Sequence, residues 1–362
     1  VFVVLTLVNV PSGDANNAAK IALTSLTATY ADKTVGTGKT VSLATASLTG
    51  TTSSNYTLSM TGAPTTTADI TAKSLAVTIT ATSRTYNQLT SATVTYGDNR
   101  IAGDSLTVSG TANFSDKNVG TAKTVTATGI TLTGTDAANY TPNTSATNTA
   151  NITAKTLAVT ITASNKTYDA LTSASVTYSD DRIAGDSFTV SGTANFANKN
   201  VGTAKTVTAT GISLSGTDAA NYAPNTSTTT TANITVRTLA VTATASNKTY
   251  DALTSASVTY SDDRRPSDVL TVSGTANFDT KNIGTGKTVN VTGINVTGTD
   301  AGNYTWNTTT STTADVTSRT LAVTAVADTK VYDATTAATA TYSDNRVAGD
   351  VFTVSGTATF AT

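Results

Sequence analysis

The stretch TLAVTITASNKTYDALT, residues 156–172, decides the fold of this chain. Its apolar residues Leu157, Val159 and Ile161 alternate with polar ones, and this two-residue period predicts a half-buried β-strand followed by a loop. Almost the same passage recurs three more times, with its tyrosine at Tyr86, Tyr250 and Tyr332. Because successive tyrosines are 82 residues apart, as 250 − 168 shows, the sequence indicates a tandem array of small domains.

The period divides the chain into five repeats. Their predicted limits are 1–72, 73–154, 155–236, 237–318 and 319–362. Shifting the opening residues by 84 aligns Phe2 with Tyr86, and the closing VSGTATFAT matches VSGTANFAN of the third repeat. We therefore expect the first repeat to be truncated at its start and the fifth at its end. No Pro- or Ser-rich linker separates the repeats, which predicts short, stiff junctions.

The composition limits the classes of function that we expect for this chain. The chain has no His, Cys or Glu, so the commonest general base, the commonest zinc ligands and the best nucleophile are absent. A net charge of −1 provides no basic surplus for nucleic acid or an anionic membrane. No apolar run is long enough to span a bilayer. We expect a non-enzymatic protein without cofactors, without nucleic-acid partners and without membrane insertion in this segment.

The strand pattern predicts an all-β fold. Threonine is abundant and favours strands over helices. About seven short strands per repeat, separated by turns, indicate an antiparallel, immunoglobulin-like β-sandwich repeated along an extended rod, with a smaller β-grasp-like sheet as the alternative. The apolar parity switches at Gly129, Gly211 and Gly293, which predicts a β-bulge or sharp bend at each of these glycines.

Two recurring tyrosines are candidate structural residues. The motif D-A-x-N-Y ends at Tyr140, Tyr222 and Tyr304 and has the spacing of a tyrosine corner, in which the hydroxyl bonds to the backbone. A role of this tyrosine in stacking on a ligand is the alternative. The second tyrosine belongs to the K-x-Y-D motif, at Tyr168, Tyr250 and Tyr332. We expect it to pack against the neighbouring repeat, with a repeated interaction surface as the alternative.

Charged residues supply two further candidate sites. The acidic turn with Asp180, Asp181 and Asp186 is a weak candidate for calcium, which prefers oxygen ligands; EF-hand spacing is absent, however, and Arg182 competes for the carboxylates. A row of lysines could contact acidic glycans or could protect strand edges from aggregation. These lysines are Lys117, Lys123, Lys199, Lys205, Lys281 and Lys287.

The motifs together resemble a known family. K-x-Y-D-[AG], F-x-x-K-N-V-G-T-x-K-T-V, L-x-G-x-D-A-x-N-Y and A-x-I-T-x-[KR] are similar to the YDG-type repeat of large bacterial adhesins and filamentous-haemagglutinin-like proteins. Where that family often has Gly after Tyr-Asp, this chain has Ala170, Ala252 and Ala334. The resemblance implies an extracellular, non-catalytic stalk or fibre segment of the cell surface.

The expected partners follow from this resemblance and from the repeats. They are neighbouring repeats, and copies of the same chain if it forms a filament. The alternative function is a multivalent module in which each repeat binds a surface glycan or a host protein weakly and repetition supplies avidity.

Overall fold

The computed structural model describes residues 22–361, and these residues form strands, turns and four short 3₁₀ turns. The all-β class is confirmed, because no α-helix occurs in the described part of the chain. Accordingly, residues 22–361 contain no helix with the length and apolarity needed to span a bilayer. The alignment of Phe2 with Tyr86 falls outside the described residues.

The strands recur with the sequence period. The first repeat has β1 (Ala22–Tyr30), β2 (Gly36–Thr49) and β3 (Thr65–Ile70). The second has β4 (Lys73–Leu75), β5 (Thr78–Ala81), β6 (Arg84–Thr85), β7 (Val94–Gly97), β8 (Thr107–Phe114), β9 (Gly120–Thr133), β10 (Tyr140–Pro142) and β11 (Ser145–Thr153). The third has β12 (Lys155–Leu157), β13 (Thr160–Ala163), β14 (Lys166–Thr167), β15 (Val176–Ser179), β16 (Thr189–Phe196), β17 (Gly202–Ser215), β18 (Tyr222–Pro224) and β19 (Ser227–Thr235).

The last two repeats continue the series. The fourth has β20 (Arg237–Leu239), β21 (Val241–Ala245), β22 (Lys248–Thr249), β23 (Val258–Asp262), β24 (Thr271–Phe278), β25 (Gly284–Thr297), β26 (Tyr304–Trp306) and β27 (Thr309–Thr317). The fifth has β28 (Val323–Ala327), β29 (Ala337–Ala338), β30 (Ala340–Asp344) and β31 (Ala358–Thr359). The 3₁₀ turns are Ser53–Asn55, Ala137–Asn139, Ala219–Asn221 and Ala301–Asn303.

The chain forms two compact units that do not coincide with the predicted repeats. Of the described residues, the first unit contains 22–157 together with Asp181–Thr189 and Leu214–Pro224. The second contains Ala158–Asp180, Val190–Ser213 and 225–361. The third repeat thus contributes residues to both units, and the limits of the repeats stay a prediction.

Each complete repeat has the same strand pairs. In the fourth repeat a four-stranded sheet has the order β22-β27-β25-β24, and β20–β26 and β21–β23 form separate pairs. The second repeat shows the same arrangement with the order β6-β11-β9-β8. The predicted tandem β-sandwich is therefore present, and it includes parallel pairs, β20–β26 and β22–β27, that the sequence analysis did not predict.

The core lies between these strand layers. In the second compact unit Leu239, Val289 and Val291 are completely buried, and Phe278 is nearly so. In the first unit, a corresponding cluster contains Leu75, Val77, Leu106, Ile130 and Tyr140. Burying one such side chain contributes roughly 1.5–3 kcal/mol, so alternate residues of β25 hold the layers together.

The predicted bulge is confirmed in β25. Ser273 pairs with Asn295 and Thr275 pairs with Thr292, so β25 has one more residue than β24 across this step. Gly293 lies within the step with a φ of +60°, a conformation that glycine adopts without strain. The bulge lets Val291 and Ile294 both face the core although they lie three residues apart.

The alanine after Tyr-Asp adopts a left-handed backbone conformation. The φ angles of Ala170, Ala252 and Ala334 are +67°, +63° and +62°. A Cβ atom is unfavourable there, because it approaches the following carbonyl oxygen. This explains physically why Gly suits the position in the family that the sequence resembles.

We expect Ala252→Gly to stabilise the fourth repeat by about 0.5–1 kcal/mol, because relief of left-handed strain exceeds the added chain entropy. Urea unfolding followed by fluorescence of Trp306, the one tryptophan, reports on this repeat. The control Ala245→Gly, at the end of β21, should destabilise instead, because Gly weakens a strand. A loss of stability in Ala252→Gly would contradict the explanation.

Candidate functional site

The tyrosine of the K-x-Y-D loop reaches into the following repeat. In the second compact unit Tyr168 is only 1% exposed, and its hydroxyl donates to Asp268 Oδ1 at 3.0 Å. The two residues are 100 positions apart. The Asp268 side chain is completely buried, so a charge at this position requires strong partners.

Tyr304 of the D-A-x-N-Y motif supplies the second partner. Its hydroxyl donates to Asp268 Oδ2 at 2.7 Å and accepts the Arg265 N–H at 2.9 Å. The rings of Tyr168 and Tyr304 meet edge to face with centroids 5.4 Å apart, a favourable aromatic geometry. The Tyr304 hydroxyl bonds to the backbone, as in a tyrosine corner, but its partner lies 39 residues upstream instead of a few, so the tyrosine corner stays a prediction.

A lysine of the preceding repeat completes the arrangement. Lys199 Nζ lies 2.8 Å from Asp268 Oδ1 and 2.7 Å from Asp300 Oδ1. The Val201 N–H donates to Asn303 Oδ1 at 2.8 Å. Asp300 and Asn303 thus bind the third repeat while Tyr304, next in sequence, binds Asp268. We call the set Tyr168, Lys199, Asp268, Asp300, Asn303 and Tyr304 the clasp.

The first compact unit contains an equivalent clasp. Tyr86 and Tyr222 donate to the two oxygens of Asp186 at 3.0 and 2.6 Å, and their ring centroids are 5.6 Å apart. Lys117 Nζ lies 3.2 Å from Asp218 Oδ1, and the Val119 N–H donates to Asn221 Oδ1 at 2.9 Å. The same contacts with the same chain offsets indicate that the clasp is a property of the repeat.

The remaining candidate tyrosines occupy the same positions. Tyr140 donates to Asp104 Oδ2 at 2.6 Å, and Tyr250 donates to Asp350 Oδ1 at 2.7 Å. Tyr332, in contrast, is 91% exposed. The expected packing of the K-x-Y-D tyrosine against the neighbouring repeat therefore describes Tyr86, Tyr168 and Tyr250, and Tyr332 is an exposed reference within the 362-residue chain.

Contacts within the clasp shift the pKa values of several of its side chains. Burial, together with the hydrogen bond to Asp268, raises the pKa of Tyr304 to about 12. Hydrogen bonds from Lys199 to Asp268 and Asp300 raise the pKa of Lys199 above its ordinary value. The bond from Lys199 lowers the pKa of Asp300. The folded clasp therefore favours a neutral phenol, a charged ammonium and a charged Asp300 carboxylate.

These shifts predict alkaline destabilisation. Between about pH 10 and about pH 12 the unfolded tyrosine has lost its proton whereas folded Tyr304 retains it, so the free energy of unfolding falls as pH rises. The pKa of Lys199 is also raised in the folded protein, so its titration likewise lowers the free energy of unfolding as pH rises. With no His, Cys or Glu, no side chain ordinarily titrates between about pH 5 and 9, so stability should be flat there.

The measurement is the urea midpoint of Trp306 fluorescence from pH 5 to above pH 10. Tyr304→Phe lowers the midpoint at neutral pH and should also flatten the alkaline decline. A wild-type midpoint that changes steeply near neutral pH would contradict this assignment.

Five of the six candidate glycan-contact lysines make polar contacts with other side chains. Lys117 and Lys199 belong to clasps. Lys123 lies 2.7 Å from Asp116, Lys287 lies 2.9 Å from Asp279, and Lys205 donates to Asn198 at 2.7 Å. Lys281 is exposed, and the described part of the chain gives it no ion pair. The geometry gives most of these lysines structural partners, and glycan contact stays a prediction.

The three calcium candidates have different surroundings. Asp186 accepts a tyrosine hydroxyl on each of its two oxygens and lies 3.6 Å from Lys117 Nζ, so a cationic side chain already stands beside the carboxylate. Asp181 lies 3.6 Å from Lys155 Nζ, and Asp180 directly follows β15. Within residues 22–361, no three His, Cys, Asp or Glu side chains are grouped to hold a metal ion.

Sequence reasoning missed two kinds of residue. The acidic turn predicts only a calcium ligand at Asp186, although its equivalents Asp104, Asp268 and Asp350 recur at the 82-residue spacing. The predictions also leave out the asparagine that follows the tyrosine of each D-A-x-N-Y motif by three residues. These asparagines are Asn143, Asn225 and Asn307. The period itself was the available signal, since it marks every position that the repeat requires.

The repeated sheets and recurring clasp define a tandem-repeat β-protein. The YDG domain matches residues 3–67, 71–149, 153–232 and 235–313, so the chain belongs to the YDG domain family. This confirms the resemblance to a YDG-type repeat. Comparison with curated proteins gives no match. Among solved structures, the crystal structure of the I9–I11 tandem from titin is similar over 67% of this chain and 100% of that chain, with 11% identity and a TM-score of 0.20.

Proposed function

We propose that this chain is a structural segment of a secreted bacterial surface protein, the shaft of an adhesin or an extracellular filament. One observation carries the proposal: the clasp ties a repeat to the next through buried side chains instead of through a flexible linker. An array joined in this way transmits position and force along its length, and its reach is set by copy number. The extracellular location rests on the resemblance to adhesin repeats.

Side-chain chemistry supports a non-catalytic role. The chain lacks His, Cys and Glu, and the perturbed groups of the clasp already bind one another. A catalytic site normally leaves such groups facing a cleft where substrate can reach them. We therefore propose that the clasp is a joint and that the protein is not an enzyme.

Negative-stain imaging of the 362-residue chain tests the shaft. Strands of about seven residues, with a rise of about 3.3 Å per residue, together with their loops give a length of roughly 30–40 Å per repeat. The whole chain should then form rods of about 150 Å. Beaded rods of that length at low and high protein concentration are the expected result. Compact particles would contradict the proposal, and long regular filaments would extend it to self-assembly.

A double variant sharpens the imaging experiment. Asp186→Ala with Asp268→Ala removes the central carboxylate from two clasps, and we expect bent or irregular rods. The control Asp116→Ala with Asp279→Ala removes two exposed carboxylates that pair with lysines inside a hairpin, and it should leave the rods straight. Equal rod shapes in both variants would show that the clasp does not stiffen the array.

Multivalent glycan binding is the second candidate function. A recess of about 260 Å³ in the third repeat is lined by hydroxyl, amide and charged side chains, among them Ser164, Asn165, Lys166 and Asp169. The same residue types recur at 246–257 in the fourth repeat. Binding of the whole chain to an acidic or neutral glycan panel tests this function, and signals at background level would exclude it.

A further inference from the structure

The first and last segments of each complete repeat run parallel to each other. In the fourth repeat β20 pairs in parallel with β26, from Arg237 with Tyr304 to Leu239 with Trp306. Further along, β22 pairs in parallel with β27 through Lys248 with Val316 and Thr249 with Thr317. The segment by which the chain enters the repeat is thus bonded, near both of its ends, to the segment by which it leaves.

Side-chain amides fill the interval between the two parallel pairs. The Val241 N–H donates to Asn307 Oδ1 at 2.8 Å, and Asn307 Nδ2 donates back to the Val241 carbonyl at 3.0 Å. Asn247 Oδ1 accepts the Asp315 N–H at 2.7 Å. Because Asn307 acts as donor and acceptor to one residue, it reproduces a backbone pairing where the strands themselves do not pair.

The second and third repeats contain the same connection. The Val77 N–H donates to Asn143 Oδ1 at 2.7 Å, and the Val159 N–H donates to Asn225 Oδ1 at 2.7 Å. Their Nδ2 atoms donate back to the carbonyls of Val77 and Val159 at 3.2 Å. The asparagine that follows the tyrosine of the D-A-x-N-Y motif by three residues therefore links the entry and exit segments in every complete repeat.

This arrangement has a mechanical consequence. Tension on the array pulls Arg237, at the N-terminal end of the entry segment, away from Thr317, at the C-terminal end of the exit segment. Since the two segments are parallel, the force slides one along the other and loads all their hydrogen bonds at once. In an antiparallel hairpin pulled at its open end, the bonds break one after another. The backbone bond from Tyr250 N–H to the Thr317 carbonyl, at 2.9 Å, continues this connection towards the next clasp.

We propose that each repeat is a force-bearing clamp, in which the parallel entry and exit segments and the linking asparagine resist tension along the chain. The biological meaning of this clamp rests on the proposed shaft function, whereas its mechanical strength is a property of the fold. In this proposal the repeat resists tension along the chain. The residues that determine its mechanical strength are Asn143, Asn225 and Asn307.

Single-molecule stretching in two directions on the same folded protein tests the clamp. The chain contains no cysteine, so introduced cysteines are unique handles. In one protein the handles are at the chain ends. In the other they are Thr271→Cys and Thr297→Cys, two exposed residues paired at the open end of the β24–β25 hairpin. The first direction shears the parallel segments and the second unzips the hairpin.

We expect the fourth repeat to unfold at a clearly higher force when it is pulled through the chain ends. Each repeat should lengthen the chain by no more than about 295 Å, because 82 residues span at most ~3.6 Å each. Equal forces in the two directions, or a higher force across the hairpin, would overturn the clamp. Those results would leave the shaft proposal standing, because rod length in micrographs does not depend on resistance to force.

A variant pair separates the clamp from general stability. Asn143→Ala, Asn225→Ala and Asn307→Ala together should make unfolding through the chain ends on the order of tenfold faster at a fixed force, since each removes paired hydrogen bonds that carry load. Ile294→Val weakens the core outside the parallel segments and serves as control. If Ile294→Val accelerates forced unfolding of the fourth repeat as much as the asparagine variant does, the linking asparagine is not a mechanical element.

Discussion

Replacing Asp268 with alanine should destabilise the fourth repeat by about 3–5 kcal/mol, the usual cost of breaking a buried ion pair by removing one partner. Asp268 is completely buried and accepts hydrogen bonds from Tyr168, Tyr304 and Lys199. Its loss leaves two phenol groups without their acceptor and leaves the Lys199 ammonium with Asp300 as its remaining partner. Urea unfolding followed by Trp306 fluorescence measures the change, because Trp306 follows Tyr304 by two residues.

The matched control is Asp279→Ala in the same repeat. Asp279 also pairs with a lysine, Lys287 at 2.9 Å, but its side chain is 47% exposed. Exposed ion pairs contribute little because water and salt screen them, so the unfolding midpoint of this variant should stay close to that of the parent. Similar midpoints for Asp268→Ala and Asp279→Ala would show that the clasp carboxylate does not stabilise the fold.

The second large effect concerns the tyrosine that crosses to the next repeat. Tyr168→Ala removes a buried aromatic ring, its edge-to-face contact with Tyr304 and its bond to Asp268. We expect a loss of about 3–5 kcal/mol, as for other buried aromatic residues replaced by alanine. Because Tyr168 belongs to the third repeat and Trp306 to the fourth, a change in the Trp306 transition reports coupling between repeats.

Tyr332→Ala tests whether the effect comes from burial rather than from the loop itself. Tyr332 occupies the same position in the K-x-Y-D motif and is 91% exposed. Its replacement should leave both the Trp306 transition and the overall unfolding curve unchanged. A third variant, Tyr168→Phe, keeps the ring and removes only the hydroxyl. Its free energy of unfolding should therefore lie between those of the parent protein and Tyr168→Ala. If Tyr168→Ala leaves the Trp306 transition unchanged, the two repeats are not coupled through this residue.

The sequence by itself determined the period, the strands and the bulge. Alternation at Leu157, Val159 and Ile161 is a local pattern, and strands follow from it because successive side chains point to opposite faces. The parity switch at Gly293 is equally local and predicted the extra residue of β25. The positions of the recurrent tyrosines were also visible, since a repeat shows which residues its fold requires.

Only the tertiary structure decided what those residues bind. Tyr168 and Asp268 lie 100 residues apart, and no local pattern specifies which of many aspartates a tyrosine hydroxyl will meet. The parallel pairing of β20 with β26 and of β22 with β27 likewise joins residues 67 and 68 positions apart, as 304 − 237 and 316 − 248 show, and register between distant strands is set by the packing of their shared core. Local side-chain periodicity thus determined the elements of this protein, and long-range packing determined the clasp and the parallel segments on which its proposed function depends.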